Sequence, residues 1–148
     1  MHSLIKYWIK FVILATGLAL FSHSVHATNV IVHPTVQLDN LSPSNLRRIF
    51  TMRNRQWQKD LPIRVFVFAS DNKIHSNFCL QTLEVFPYQL DKIWGKLLFS
   101  GLGEPPQVVN SQEEMIEKVR STPGAIGYVD KIVNSEGLLI MTIGNNDE

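Results

Sequence analysis

The sequence is short of the residues that build disulfide frameworks and metal centres. Its 148 residues include a single cysteine, Cys79, which can form neither an intrachain disulfide nor a CxxC metal motif. Of the five histidines, only His33 and His75 lie beyond residue 27. Two histidines so far apart in sequence do not indicate a metal site. We therefore predict that the chain holds no metal and needs no cofactor.

An excess of charge of either sign is also missing. The formal net charge is +1, so no basic field of the whole chain indicates nucleic-acid binding. Hydrophobic residues make up 45% and charged residues 18% of the sequence. This ordinary globular composition excludes disordered, collagen-like and coiled-coil chains. The length suits one domain better than two.

Long apolar runs are absent except near the start of the chain. Lys6 and Lys10 precede an apolar stretch of 11 residues, 11–21, and polar residues then lead to Ala27. This is the three-part pattern of a secretory signal peptide. The apolar stretch falls well short of the roughly 20 residues of a transmembrane helix. We predict cleavage after Ala27, a single domain over residues 28–148, and no stable membrane anchor after cleavage.

Strand and helix patterns alternate along the rest of the chain. Strands are predicted at residues 30–33, 63–68, 125–129 and 138–143. Helices are predicted to begin at Ser42-Pro43, at one of the cap residues 70–72, near Pro87, and at the serine-x-x-glutamate motif that starts at Ser111. This alternation predicts a three-layer α/β domain with a mostly parallel or mixed sheet.

Helical spacing of the apolar residues predicts which side chains face the core. The inward positions, helix by helix, are predicted to be Leu46, Ile49 and Phe50; Ile74, Phe78, Cys79 and Leu83; Leu90, Ile93, Trp94, Leu97 and Leu98; and Met115, Ile116 and Val119. In the strand predicted at residues 125–129, Gly127 predicts the close approach of another backbone or of a ligand. Cys79 is expected to be buried as a small apolar side chain.

Signatures of enzymes are missing from the sequence. No GxSxG, HExxH, GxxxxGK[ST] or GxGxxG motif occurs. His75 could be paired with Ser70, Ser76 or Cys79 as base and nucleophile, but a solvent-exposed His75 on a helix surface is the preferred interpretation. Arg47, Arg48, Arg53 and Arg55 form a basic cluster that could contact an anionic ligand or lipid, and solvation is again preferred. We predict that the chain is not an enzyme.

Several segments occur in the order and spacing of a known family. They are residues 41–50 with Trp57, residues 61–66, Phe78 in the following helix, and residues 121–129. In this pattern the chain resembles the periplasmic solute-binding proteins of phosphate ABC transporters, above all their small single-domain relatives. The resemblance implies one lobe of a type 2 periplasmic-binding-protein fold and a periplasmic location.

The resemblance also implies a ligand site after the second strand. In that family the strand ends in an arginine, and a serine-aspartate-glycine-serine-glycine-threonine loop follows. Here Phe68 stands at the arginine position, and residues 69–74 replace the loop. The resemblance implies that Ser70, Asn72 and Lys73 contact a small anion at a helix N-terminus. The alternative is ordinary helix capping by Asp71 or Asn72.

Two classes of function follow from this comparison. The resemblance implies a solute-binding protein that takes phosphate or another small anion and serves an inner-membrane ABC transporter or sensor. The altered loop supports instead a periplasmic adaptor or sensor-partner domain that has lost the phosphate site and binds another protein. Exposed aromatic side chains such as Trp57 or Tyr88 would then form the contact.

Overall fold

The computed structural model describes residues 28–37, 41–132, 134 and 136–142. The predicted signal peptide therefore lies outside the described residues. The strands are β1 (Asn29–Val32), β2 (Arg64–Phe68), β3 (Gln107–Val109), β4 (Ala125–Val129) and β5 (Leu139–Thr142). The α-helices are α1 (Pro43–Phe50), α2 (Lys73–Asn77), α3 (Pro87–Ser100) and α4 (Gln112–Ser121), with a 3-10 helix at Gln58–Asp60 and a π-helical segment at Phe78–Leu83. None of the helices in these ranges is long and apolar enough to cross a bilayer.

The five strands form one mixed sheet in the order β3-β2-β4-β1-β5. Strand β2 runs parallel to β3 and β4, whereas β1 pairs antiparallel with β4 and β5. The prediction of an α/β domain with a mixed sheet is confirmed. The edge strand β3 was not predicted, because its three residues follow Pro105 and Pro106 and are too few to show a period.

Helices cover both faces of this sheet, as the three-layer prediction requires. On one face, Gly127 of β4 lies directly under α4. A Cβ atom on Gly127 would stand 2.4 Å from Sδ of Met115 and 3.1 Å from a methyl of Val119. The expected close approach at Gly127 is thus made by a helix of this chain. On the other face, the ring of Tyr128 packs against Phe50 of α1 and Phe78.

The predicted serine caps begin their helices. The Ser42 side chain accepts a hydrogen bond from the N–H of Asn45 at 3.3 Å, and Ser111 accepts one from the N–H of Glu114 at 3.1 Å. The carboxylate of Glu114 does not reach back to Ser111 as a capping box would. It accepts instead from the N–H of Asn110 at 2.8 Å, which fixes the turn from β3 into α4.

The region between β2 and α3 differs from the single helix expected there. Helix α2 passes at Phe78 into the π-helical segment, which ends at Glu84 with φ of +53°. Arg47 of α1 donates to the carbonyl of Leu83 and forms an ion pair with Glu84. The prediction that Arg47 simply faces water was wrong, because its guanidinium binds the end of this segment.

Helix α3 buries less of its apolar surface than its spacing predicted. Leu90 is fully buried, and the half-buried Trp94 donates its indole N–H to the carbonyl of Phe50 at 2.8 Å. In contrast, Ile93 and Leu98 are exposed. One narrow face of α3 therefore attaches the helix to the core, and apolar side chains remain on its outer side.

The close packing of α4 on Gly127 predicts that a larger residue at this position destabilises the fold. Gly127→Ala forces the new methyl group against Met115, so we expect the free energy of unfolding to fall by about 1–3 kcal/mol. Gly95→Ala is the matched control, because a Cβ at this position inside α3 meets nothing within 4 Å. It should stabilise the chain by up to about 1 kcal/mol through helix propensity. Urea denaturation measures both, and equal midpoints for the two variants would contradict the packing described here.

Candidate functional site

The candidate site lies at the edge of the sheet where β2, β3 and β4 end. Because these three strands are parallel, their carboxyl ends meet at one edge, which is where open α/β sheets bind ligands. The loop 69–72 follows β2 there, the N-terminus of α4 follows β3, and Asp130 follows β4. The structure thus places the predicted contacts Ser70, Asn72 and Lys73 at the expected edge.

Two of these three predicted contacts are already engaged within the chain. The Oδ1 atom of Asn72 accepts a hydrogen bond from the N–H of Ile74 at 2.8 Å, so Asn72 is the N-cap of α2. The hydroxyl of Ser70 donates to Oδ1 of Asp91 in α3 at 2.6 Å. Lys73 is exposed at the first position of α2. Asn72 therefore has the helix-capping geometry that was the alternative to ligand binding. A role of Ser70, Asn72 and Lys73 in ligand binding stays a prediction.

Phe68 occupies the position that an arginine holds in the phosphate-binding pattern. Its ring is buried and meets the ring of Tyr128 edge-on, with the centroids 5.5 Å apart. Its backbone N–H donates to the hydroxyl of Tyr128 at 3.1 Å. This position therefore belongs to the core and offers no cation to an anion at the loop.

Carboxylates outnumber ammonium groups among the described residues at this edge. The acidic side chains are Asp71, Asp91, Glu113, Glu114 and Asp130, and the basic ones are Lys73 and Lys131. Hydrogen bonds from its own backbone N–H and from Ser111 lower the pKa of Glu113, so its negative charge persists. A free anion approaching the edge meets a field of its own sign.

His75 is buried, which contradicts its predicted place on the surface. Its Nδ1 atom is hydrogen-bonded to the Tyr128 hydroxyl at 2.5 Å, and its Nε2 atom lies 3.4 Å from Sγ of Cys79. A hydroxyl that donates to Nδ1 and an Nε2–H that donates to sulfur would satisfy all three groups. The prediction that Cys79 is buried is confirmed.

The electrostatics of this buried cluster oppose nucleophilic chemistry. Burial lowers the pKa of His75, although the charge of Asp91 acts in the opposite direction. Burial raises the pKa of the Cys79 thiol to about 12, and Asp91 adds to that rise. A cysteine nucleophile needs a lowered pKa and access to its substrate. Here the thiol and the imidazole are both neutral and enclosed, so they act as core groups.

Trp57 and Tyr88, the aromatic residues predicted to contact a partner protein, differ in their exposure. The half-buried Trp57 donates its indole N–H to the carbonyl of Gly124 at 2.8 Å and packs on the core. Tyr88 is 56% exposed, and its ring stacks on the exposed Phe86 with the centroids 5.7 Å apart. Sequence reasoning missed Phe86, which directly precedes the proline that begins α3. Of the two predicted aromatic residues, Tyr88 is the one available to a partner.

Two surface hollows lie at the opposite edge of the sheet. One has a volume of about 50 Å³ and includes Met52, Arg64 and Glu104 in its lining. The other has a volume of about 270 Å³ and is lined by Thr35, Gln37, Trp57, Gln58 and Leu61. Both adjoin the amino ends of the parallel strands, away from the loop 69–72. Within the described ranges, no cluster of three or more His, Cys, Asp or Glu residues could hold a metal ion.

Comparisons with known proteins bear on the fold. No family model and no curated protein matches the chain. The structure is similar to that of PstS from Borrelia burgdorferi, with a TM-score of 0.59 and 23% identity over 80% of this chain. It is also similar to an ABC-type phosphate transport receptor from Vibrio cholerae, with a TM-score of 0.49 and 18% identity over 79% of this chain.

The chain spans about half the length of these structures, 47% of the first and 45% of the second. The first likeness confirms the predicted fold, an α/β unit that matches one lobe of the PstS structure. At 23% identity it shows the fold alone.

The Tyr128 hydroxyl is expected to stabilise the fold measurably. Tyr128→Phe keeps the stacked ring but leaves the N–H of Phe68 and the imidazole of His75 without their shared partner. A buried donor left unsatisfied costs about 1–3 kcal/mol, and we expect the free energy of unfolding to fall by that amount. Urea denaturation measures it. A variant as stable as the parent chain would show that the hydroxyl contributes nothing.

Burial of neutral His75 also predicts a pH dependence. The folded-state pKa lies below the ordinary value of about 6.5, so the unfolded chain binds more protons. The stability that neutral His75 contributes is complete above pH 6.5. It is lost as the pH falls from there through the folded-state pKa. His75→Gln should flatten the decline in unfolding free energy between pH 7 and pH 5.5. Parallel declines in the parent chain and the variant would disprove this assignment.

Proposed function

We propose that residues 28–148 form a periplasmic, non-catalytic adaptor domain, exported by a signal peptide over residues 1–27, that binds another protein. The observation that carries the proposal is the state of the loop after β2. The groups that would hold an anion there serve the chain itself, because Asn72 caps α2 and Ser70 binds Asp91. This use of the loop within the chain supports binding of another protein rather than of a small anion.

Local charge supports the same proposal. Phosphate and similar anions bind where helix N-termini and cations face them. At this edge, the N-terminus of α4 carries Glu113 and Glu114, and Asp71 is exposed in the loop itself. Each of these carboxylates raises the free energy of an anion bound nearby. The proposal that the domain is not an enzyme is supported by the buried, neutral state of Cys79 and His75.

The proposed protein contact is the aromatic pair at the start of α3. Phe86 and Tyr88 are each more than half exposed and stack on one another, so the pair presents a preformed apolar surface. The Nζ atom of Lys92 lies 5.5 Å from the centre of the Tyr88 ring. Tyrosine is among the residue types that dominate binding energy in protein interfaces, and phenylalanine is enriched there.

A second candidate function is solute binding, for phosphate or another small anion, on behalf of an inner-membrane transporter or sensor. The observations that favour it are the likeness of the fold to PstS from Borrelia burgdorferi and the exposed Lys73 at the first turn of α2. In this candidate Ser70 and Asn72 would exchange their present partners for the anion.

Isothermal titration distinguishes the two candidates. The purified chain is titrated with phosphate, sulfate and a panel of small carboxylates, and the adaptor proposal expects no binding heat at millimolar ligand. Micromolar binding that Lys73→Ala abolishes would overturn the proposal in favour of solute binding. Lys131→Ala is the matched control, since it removes a positive charge from the same edge outside the loop.

The protein contact is tested by affinity capture from envelope extracts. The adaptor proposal expects a protein that the chain retains and that the double variant Phe86→Ala/Tyr88→Ala loses. Ile132→Ala serves as the control, because Ile132 is an exposed apolar residue outside this pair. A capture pattern that the double variant leaves unchanged would exclude this surface as the contact.

A further inference from the structure

The outer side of α3 carries a regular stripe of aromatic and cationic side chains. Tyr88, Lys92 and Lys96 are spaced four residues apart, and Phe99 follows Lys96 by three, so all four share one helix face. Each of them is exposed. The stripe follows the length of a 14-residue helix, about 21 Å.

Large apolar side chains gather where this helix ends. Phe99 is 91% exposed, Leu102 is 72% exposed and Leu98 is 56% exposed, all within five consecutive positions. The helix terminates between them at Gly101, whose φ is +68°. An exposure of 91% means that the Phe99 ring has almost no neighbours in its own chain. We refer to Leu98, Phe99 and Leu102 as the apolar tip.

Two cationic side chains, Arg55 and Lys96, lie beside the apolar tip. The guanidinium of Arg55 donates to the carbonyl of Leu102 at 2.8 Å and fills the space beside Gly103, where a Cβ would stand 2.8 Å from its Nη1 atom. Lys96 precedes Phe99 by one helical turn.

The nearest carboxylates are directed elsewhere or lie at the margin. Asp91 accepts the hydroxyl of Ser70, which holds it towards the loop after β2. Glu104 lies two residues beyond Leu102 and lines the hollow that Arg64 also lines. The outer side of α3 and its tip therefore combine protruding apolar groups with positive charge.

Charge complementarity indicates what covers this surface. A second copy packed along the stripe, in either direction, would bring the Lys92 and Lys96 ammonium groups of the two chains together near the middle of the contact. Like charges placed opposite one another destabilise such a contact. An anionic surface neutralises the same groups. A lipid surface also accepts protruding phenylalanine and leucine side chains without needing a matching pocket.

We propose that the apolar tip and the cationic stripe of α3 dock the domain on an anionic phospholipid surface. Phe99, Leu98 and Leu102 enter the boundary between headgroups and acyl chains, while Lys92 and Lys96 bind lipid phosphates. This contact is peripheral and reversible, and it needs no helix that spans the membrane. It adjoins the Phe86–Tyr88 contact proposed for a partner protein, because Tyr88 begins the stripe and Lys92 lies over its ring.

Vesicle sedimentation tests the proposal. The secreted chain is mixed with vesicles of pure phosphatidylcholine or of phosphatidylcholine containing phosphatidylglycerol. We expect binding to the anionic vesicles that added salt weakens, and binding to the neutral ones at least about tenfold weaker. Phe99→Ser/Leu102→Ser should reduce binding to the anionic vesicles by about tenfold or more, because two inserting side chains are lost.

Matched variants make the result decisive. Leu80→Ser changes another exposed leucine, which lies outside the tip, and this variant should bind as the parent chain does. Lys92→Gln/Lys96→Gln should lower binding to anionic vesicles only. Equal binding of the parent chain and the tip variant, or equal binding to both kinds of vesicle, would overturn the proposal. A lipid-free dimer that the tip variant dissociates would overturn it too and assign the surface to a second copy.

Discussion

The ring and the hydroxyl of Tyr128 connect the central strands to the helices on one face of the sheet. The ring stacks on Phe78 at 3.9 Å between centroids and meets Phe50 and Phe68 edge-on. The hydroxyl accepts the backbone N–H of Phe68 and binds the imidazole of His75. One side chain of β4 thus connects β2, α1, α2 and the π-helical segment. The layer of helices on that face of the sheet depends on it.

That dependence also bears on the loop after β2, where a ligand site was expected. Strand β2 ends in the inward-facing Phe68, so it presents no cation at its carboxyl end. Helix α2 must lie close to the sheet, because its His75 is buried against Tyr128 of β4. Asn72 and Ser70 then hold the loop in place through Ile74 and Asp91. The same positions that could bind a ligand are used to fix α2 against the core.

The sequence allowed the mixed α/β fold, most helix starts and the buried strands to be predicted, because caps and apolar periods are local signals. It did not reveal His75, although Phe78, Cys79, Thr82 and Leu83 continue a helical period that begins at this residue. A histidine counts as polar in such a pattern, and its partner Tyr128 lies 53 residues away. The exposure of α3 was missed for a related reason. The presence of an apolar residue indicates that its side chain tends to avoid water. It does not indicate whether other residues of the same chain cover that side chain.

The distribution of charge connects the two proposed activities. Residues 28–148 carry nearly equal numbers of acidic and basic side chains, so no net field orients the domain. Locally the charges are separated, with carboxylates at the edge where β2, β3 and β4 end and ammonium groups along the outer side of α3. A free anion is repelled at the first place, and an anionic surface is attracted at the second. The domain would therefore lie against a membrane by α3, with the aromatic pair at the start of that helix close to any partner held in the same membrane.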